Sequence, residues 1–194
     1  MEIFDDENKN RDYILEKLKN YDKSETYNCL IEKEIPVPYR QIYIPDRNSM
    51  EIWCFKQDIC IYRKLFDKNI DKNNVVISSG DKSLLKIDFE NIKKKEDVGM
   101  PFVIIETKMA KTNTHELLAS SEKIRMIKSI FPYCKCILLV FGDLQPPRIY
   151  RICSQFDEII FLSKLDDHYI IPVISKIINE IGKAYYNVTL VASF

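Results

Sequence analysis

The chain has 194 residues, 46% hydrophobic and 30% charged, a length and balance that suit one globular domain able to bury about 70% of the surface of its unfolded chain. Its 29 basic and 29 acidic residues cancel, which argues against a broadly basic nucleic-acid binder and leaves room for contacts confined to one face. No apolar run approaches the roughly 18 residues of a membrane span. The acidic start Met1-Glu2-Ile3-Phe4-Asp5-Asp6-Glu7 lacks the apolar core of a signal peptide, so a cytoplasmic protein is expected.

From the N-terminus, Arg11 to Asn20 has apolar residues at helical spacing and reads as a short amphipathic helix, with a second helix expected from Glu25 to Glu34. Ile35-Pro36-Val37-Pro38 breaks it, and Tyr39 to Pro45 is extended. Ser49 can cap a helix from Met50 to Lys68, in which Ile52, Phe55, Ile59, Tyr62 and Phe66 form one stripe. The β-prone run Ile59-Cys60-Ile61-Tyr62 gives a strand as the competing reading. Val75 to Ser78, Leu84 to Ile92 and Phe102 to Lys108 read as three strands of an antiparallel meander, with a turn at Gly80-Asp81 and a polar loop from Lys93 to Met100. Asn113 with Glu116 caps a long helix whose stripe is Leu117, Ile124, Ile127 and Phe131, and Pro132 ends it. Cys136 to Phe141 suits a central strand, Pro147 to Ser154 a short helix, and Glu158 to Leu162 a further strand. Pro172 opens a last helix with Val173, Ile177, Ile181 and Tyr185.

The expected fold is α/β, a mixed central sheet of about five strands flanked by helices. Residues 1–48 are expected to form a helical and extended N-terminal extension on a core of residues 49–194. The six cysteines, Cys29, Cys54, Cys60, Cys134, Cys136 and Cys153, lack zinc-site spacing and have only His115 and His168 to join them. They read as buried reduced thiols.

The chemistry concentrates in Phe102-Val103-Ile104-Ile105-Glu106-Thr107-Lys108, where four apolar residues run into a carboxylate and an amine spaced two apart. On a strand those two side chains project from one face. Burying them unpaired costs several kcal/mol. If Leu84–Ile92 and Phe102–Lys108 form a hairpin with Ile92 facing Phe102, Asp88 lies opposite Glu106, with Cβ atoms about 4.5–5.5 Å apart. A slip of one residue turns Asp88 to the other face. Two such carboxylates suit Mg2+ with retained waters, and Lys108 on the same face is expected to orient or deprotonate an attacking water or stabilise charge on the phosphate.

Asp88 followed by Glu106-Thr107-Lys108, in a helix, three strands, helix, strand order, resembles the PD-(D/E)xK nuclease superfamily, with its restriction-endonuclease-like members the nearest in feel. The resemblance spans Met50 to Ser163 and implies an αβββαβ core. It implies metal binding by Asp88 and Glu106, assistance to water by Lys108, and Mg2+-dependent hydrolysis of DNA to a 5′-phosphate, with Mn2+ as a substitute ion. Ile87 stands where the family has proline. The family's additional acid from the first core helix falls on Glu51, with Glu32 and Glu34 as weaker candidates, and Ile105 or Thr107 lends a backbone carbonyl to the metal. Asp81 is the fallback acid if the register differs.

DNA phosphates are expected at the helix start formed by Lys111, Thr112, Asn113 and Thr114, and at the basic loop carrying Lys93 and Lys94. Cutting both strands with so small a subunit implies a homodimer. A repair or junction-resolving nuclease would share the site and differ in DNA geometry. A non-catalytic nucleic-acid or protein-binding module would show no Mg2+-dependent cleavage.

Overall fold

The computed structural model describes residues 2–21, 28–44, 49–64, 75–78, 98–142 and 147–191. Their elements are α1 (Glu7–Asn20), β1 (Leu30–Glu32), β2 (Ile35–Ile44), β3 (Ser49–Gln57), β4 (Ile59–Lys64), β5 (Val75–Ser78), β6 (Gly99–Met109), α2 (Thr114–Ile130), β7 (Lys135–Phe141), α3 (Pro147–Ile152), β8 (Glu158–Leu162) and α4 (Asp167–Val191). Five strands make one mixed sheet in the order β1-β4-β6-β7-β8. The β1/β4 and β4/β6 pairs are antiparallel, and β6, β7 and β8 run parallel. A second, three-stranded sheet has the order β2-β3-β5.

The apolar run of β6 explains its central place. Phe102, Val103, Ile104 and Ile105 are all fully buried, and a strand without polar alternation needs cover on both faces. Val103 and Ile105 join a core with Ile14 and Leu18 of α1 and with Ile170, Ile174 and Ile177 of α4. Ile104 points the other way, into a core with Leu117, Ile124 and Ile127 of α2 and Ile149 of α3. Each such side chain contributes about 1.5–3 kcal/mol on burial. The expected cap of α2 is present, with the Glu116 amide donating to Asn113 Oδ1 at 3.0 Å. All six cysteines are buried and free. No helix among the described residues is long and apolar enough to cross a membrane.

Several expected elements differ. Met50 to Lys68 is not a helix; it holds most of β3 and all of β4, joined through Asp58. The stripe at helical spacing was a coincidence of two other patterns. In β3 Ile52 and Cys54 are inside with Trp53 and Phe55 only half-buried, whereas Ile59 to Tyr62 of β4 are buried on both faces and so carry no period. The helix expected from Glu25 to Glu34 gives way at its C-terminal end to β1.

The expected meander is not formed among the described residues. Val75–Ser78 is a strand, but it pairs parallel to β3 in the second sheet. β4 takes one edge of β6 and β7 the other, so neither edge is left for the strand expected at Leu84–Ile92. That segment lies outside the described residues. Gly99 and Met100, expected in a loop, belong to β6, and α4 starts at Asp167 with Pro172 inside it. The expected boundary at residue 48 does not follow the packing: α1 lies in the main core and β1 is an edge strand of the main sheet.

Candidate functional site

The site forms where β4 begins and β6 ends. Their ladder runs to the pair Ile59↔Ile105, so one step further sets Asp58 across from Glu106. Directly opposed residues of an antiparallel pair share a face. Glu106 follows Ile104 by two and therefore faces α2, where Ser120 Oγ donates to Glu106 Oε1 at 2.9 Å. Asp58 is tied to the same strand, the Thr107 amide and hydroxyl both donating to Asp58 Oδ2, at 2.8 and 2.9 Å.

Lys108 gathers three carboxylates. Its Nζ is 3.3 Å from Glu106 Oε1, 4.0 Å from Asp58 Oδ2 and 3.2 Å from Glu7 Oε1. It also donates to the Thr107 carbonyl at 2.6 Å. Glu7 is the first residue of α1, capped by Asp6, and Asn10 one turn on reaches the same strand end through Met109 Sδ at 3.5 Å. Arg11 approaches from α1 as well, 3.9 Å from Asp58 Oδ1 and 2.8 Å from Glu34 Oε1. The inner side chains are enclosed, Lys108 12% and Glu106 6% exposed, while Asp58 and Glu7 open outward at 21% and 33%.

One ammonium among three carboxylates leaves negative charge in excess. Burial pushes the Glu106 carboxyl up, and neighbouring Asp58 pushes it further against the opposing pull of Lys108. Glu7 is raised mainly by burial. Burial works against the Lys108 ammonium, but Glu106, Asp58 and Glu7 outweigh it and hold its pKa above the ordinary lysine value. Lys108 is thus a fixed cation near neutral pH rather than a free amine.

The raised Glu106 carboxyl has a measurable consequence. Folded protein holds that proton more tightly than the unfolded chain, so the stability it contributes is complete below pH 4.5 and is lost as pH rises through the raised value. In chelator, wild-type stability is expected to fall relative to Glu106→Gln across that window. Parallel urea-unfolding profiles of the two proteins would contradict the raised value.

The remaining sequence-derived candidates disperse. Asp88, the expected partner of Glu106, lies outside the described residues, as do Asp81, Lys93 and Lys94, and Asp58 holds the position facing Glu106. Glu51 is on no helix; it sits in β3, between Ile42 of β2 and Val76 of β5. Glu32 accepts from the Tyr62 hydroxyl at 2.7 Å, and Glu34, at a positive φ of 59°, is tied to Arg11. The Thr107 carbonyl, expected at a metal, accepts from Lys108 instead, and Ile105 is a ladder residue between Ile59 and Ile137. Lys111 is exposed at the turn after β6, Thr112 is buried with its carbonyl taken by Arg148 at 3.0 Å, Asn113 caps α2 and Thr114 starts it.

Sequence reading missed Asp58, Glu7 and Ser120. Asp58 had a signal, an acid immediately before the apolar run Ile59 to Tyr62, hidden by assigning that run to a helix. Glu7 had one too, since Asp6 is a good N-cap and an acid favours the first turn. Ser120 has none, because a serine on a helix says nothing about which strand carboxylate lies beneath it.

Among the described residues, no set of three or more His, Cys, Asp or Glu side chains could by itself hold a metal ion. An ion here would rest on two carboxylates and water, the hard oxygen set that Mg2+ accepts. The free valences fit such an ion. Glu106 takes both contacts on Oε1, and Asp58 Oδ1 has only the 3.9 Å approach of Arg11. Compared with protein-family models and with curated proteins, the chain matches none.

Proposed function

We propose that this chain is a Mg2+-dependent nuclease that hydrolyses DNA phosphodiester bonds, with a restriction-endonuclease-like PD-(D/E)xK core. One observation carries the reading: Asp58 and Glu106 meet from adjacent antiparallel strands at the ammonium of Lys108. The order of elements supports it. With β2, β3 and β5 set aside as an insertion forming its own sheet, the sequence α1-β1-β4-β6-α2-β7 is helix, three antiparallel strands, helix, parallel strand.

In this reading Asp58 takes the role that sequence spacing assigned to Asp88, and Gln57 stands where the family has proline. Asp58 and Glu106 would hold the ion, which when bound supplies an activated water and neutralises charge on the phosphate. Lys108 contributes positive charge toward the phosphate oxygens and can orient the attacking water. The turn at Lys111 and the start of α2 lie just beyond the strand that carries Lys108, where a DNA phosphate could meet the Lys111 ammonium and helix amides.

The test is cleavage of linear duplex, branched and single-stranded DNA by the purified chain, with Mg2+, with Mn2+ and with chelator. Metal-dependent cleavage is expected, and preference among the three substrates separates a restriction-like enzyme from a junction or repair nuclease. Metal-independent behaviour on all three would leave the cluster as an internal ion-pair network and sink the reading.

A further inference from the structure

We propose that Ser120 is a positioning residue for Glu106, engaging Oε1 from α2 so that Oε2 is presented to a divalent cation; this rests on the metal-site reading above. Ser120 lies on the buried face of α2 with Leu117, Ile124 and Ile127, a place where an apolar side chain would pack without difficulty. A serine within a helix commonly turns its hydroxyl back to the carbonyl one turn earlier. Ser120 does not: its hydroxyl crosses to the sheet and donates to Glu106 Oε1 at 2.9 Å, with the serine 3% exposed.

Lys108 Nζ approaches the same oxygen at 3.3 Å. Two partners on Oε1 fix the carboxylate's rotation, and among the described residues no hydrogen bond reaches Oε2. The Glu106 side chain keeps 6% of its surface exposed. The anchor is rigid at both ends. Glu106 sits between β4 and β7, and α2 starts after a short turn in which the Thr112 amide donates to the Met109 carbonyl at 2.9 Å and Asn113 caps the helix. Hydrogen bonds of this kind to ligating carboxylates are worth about 10–100-fold in metal affinity.

The experiment is calorimetric titration of the full chain with Mn2+ in the absence of DNA, for wild type, Ser120→Ala and Ser120→Thr. Ser120→Ala is expected to weaken Mn2+ by about 10-fold and Ser120→Thr, which keeps the hydroxyl, to restore it. In cleavage assays the Mn2+ midpoint should shift with the affinity, with a smaller change in rate at saturating metal. Equal Mn2+ affinity for Ser120→Ala and wild type, or a Thr variant as weak as the Ala variant, overturns the inference and leaves the nuclease reading standing. Wild type that binds no Mn2+ overturns both. Should Ser120→Ala lose its folded circular-dichroism signal, Ser120→Cys, of similar size and a weaker donor, gives the same comparison.

Discussion

Asp58→Asn is expected to lower Mg2+-dependent DNA cleavage by at least about 100-fold, the scale on which a group acting directly on developing charge is missed. The substitution is nearly isosteric. Its carbonyl oxygen can still accept from the Thr107 amide and hydroxyl, so β4 and β6 keep their junction while one anionic ligand is lost. Asp88→Asn serves as the contrast and should leave cleavage within about twofold, since Asp58 already stands across from Glu106. The pair of variants decides which aspartate faces Glu106 in function. Loss in Asp88→Asn with full activity in Asp58→Asn would refute the assignment made from the β4/β6 register.

The second large effect is on stability. Lys108→Met removes the one ammonium shared by Glu7, Asp58 and Glu106 and leaves the buried Glu106 carboxylate beside two half-buried ones. Breaking a buried pair by deleting one partner costs about 3–5 kcal/mol. Equilibrium urea unfolding in chelator should show that loss. Mg2+ should recover part of it, because an ion bound only by the folded state stabilises it by mass action. Adding Glu106→Gln to Lys108→Met should cost less than the two single changes summed, with a coupling of about 1–3 kcal/mol. Strict additivity, together with no response to Mg2+, would mean that the cluster neither shares its charge nor binds an ion.

Much of the local structure was legible in the residues. Glu158–Leu162 was read with the bounds the structure has, and the strand ending in Glu106-Thr107-Lys108 and the strand ending at Phe141 were read nearly so. Asn113 was correctly placed as the cap of α2. These are cases where the signal is short-range: an apolar run bounded by turns, or a capping side chain next to the amide it satisfies. The stretch Met50 to Lys68 failed because Ile52, Phe55, Ile59 and Tyr62 fall at helical spacing by accident across two strands of different sheets. A strand buried on both faces removes the alternation that would have exposed the error.

That Glu106 and Lys108 share a face at the end of the most apolar strand follows from the residues alone, since strand geometry sets side-chain alternation whatever the neighbours. That a second carboxylate joins them does not follow from the residues, because Glu106 and Lys108 can pair with each other. Which acids join them is set by strand pairing and helix packing, which bring Asp58 and Glu7 to Lys108. Asp58 is 48 residues from Glu106 in the chain and Glu7 is 99, and strand pairing over such separations is set by which edges and faces are buried together. The segment between β4 and β6, which includes β5, sets Asp58 far along the chain from Glu106, beyond the spacing of a simple hairpin.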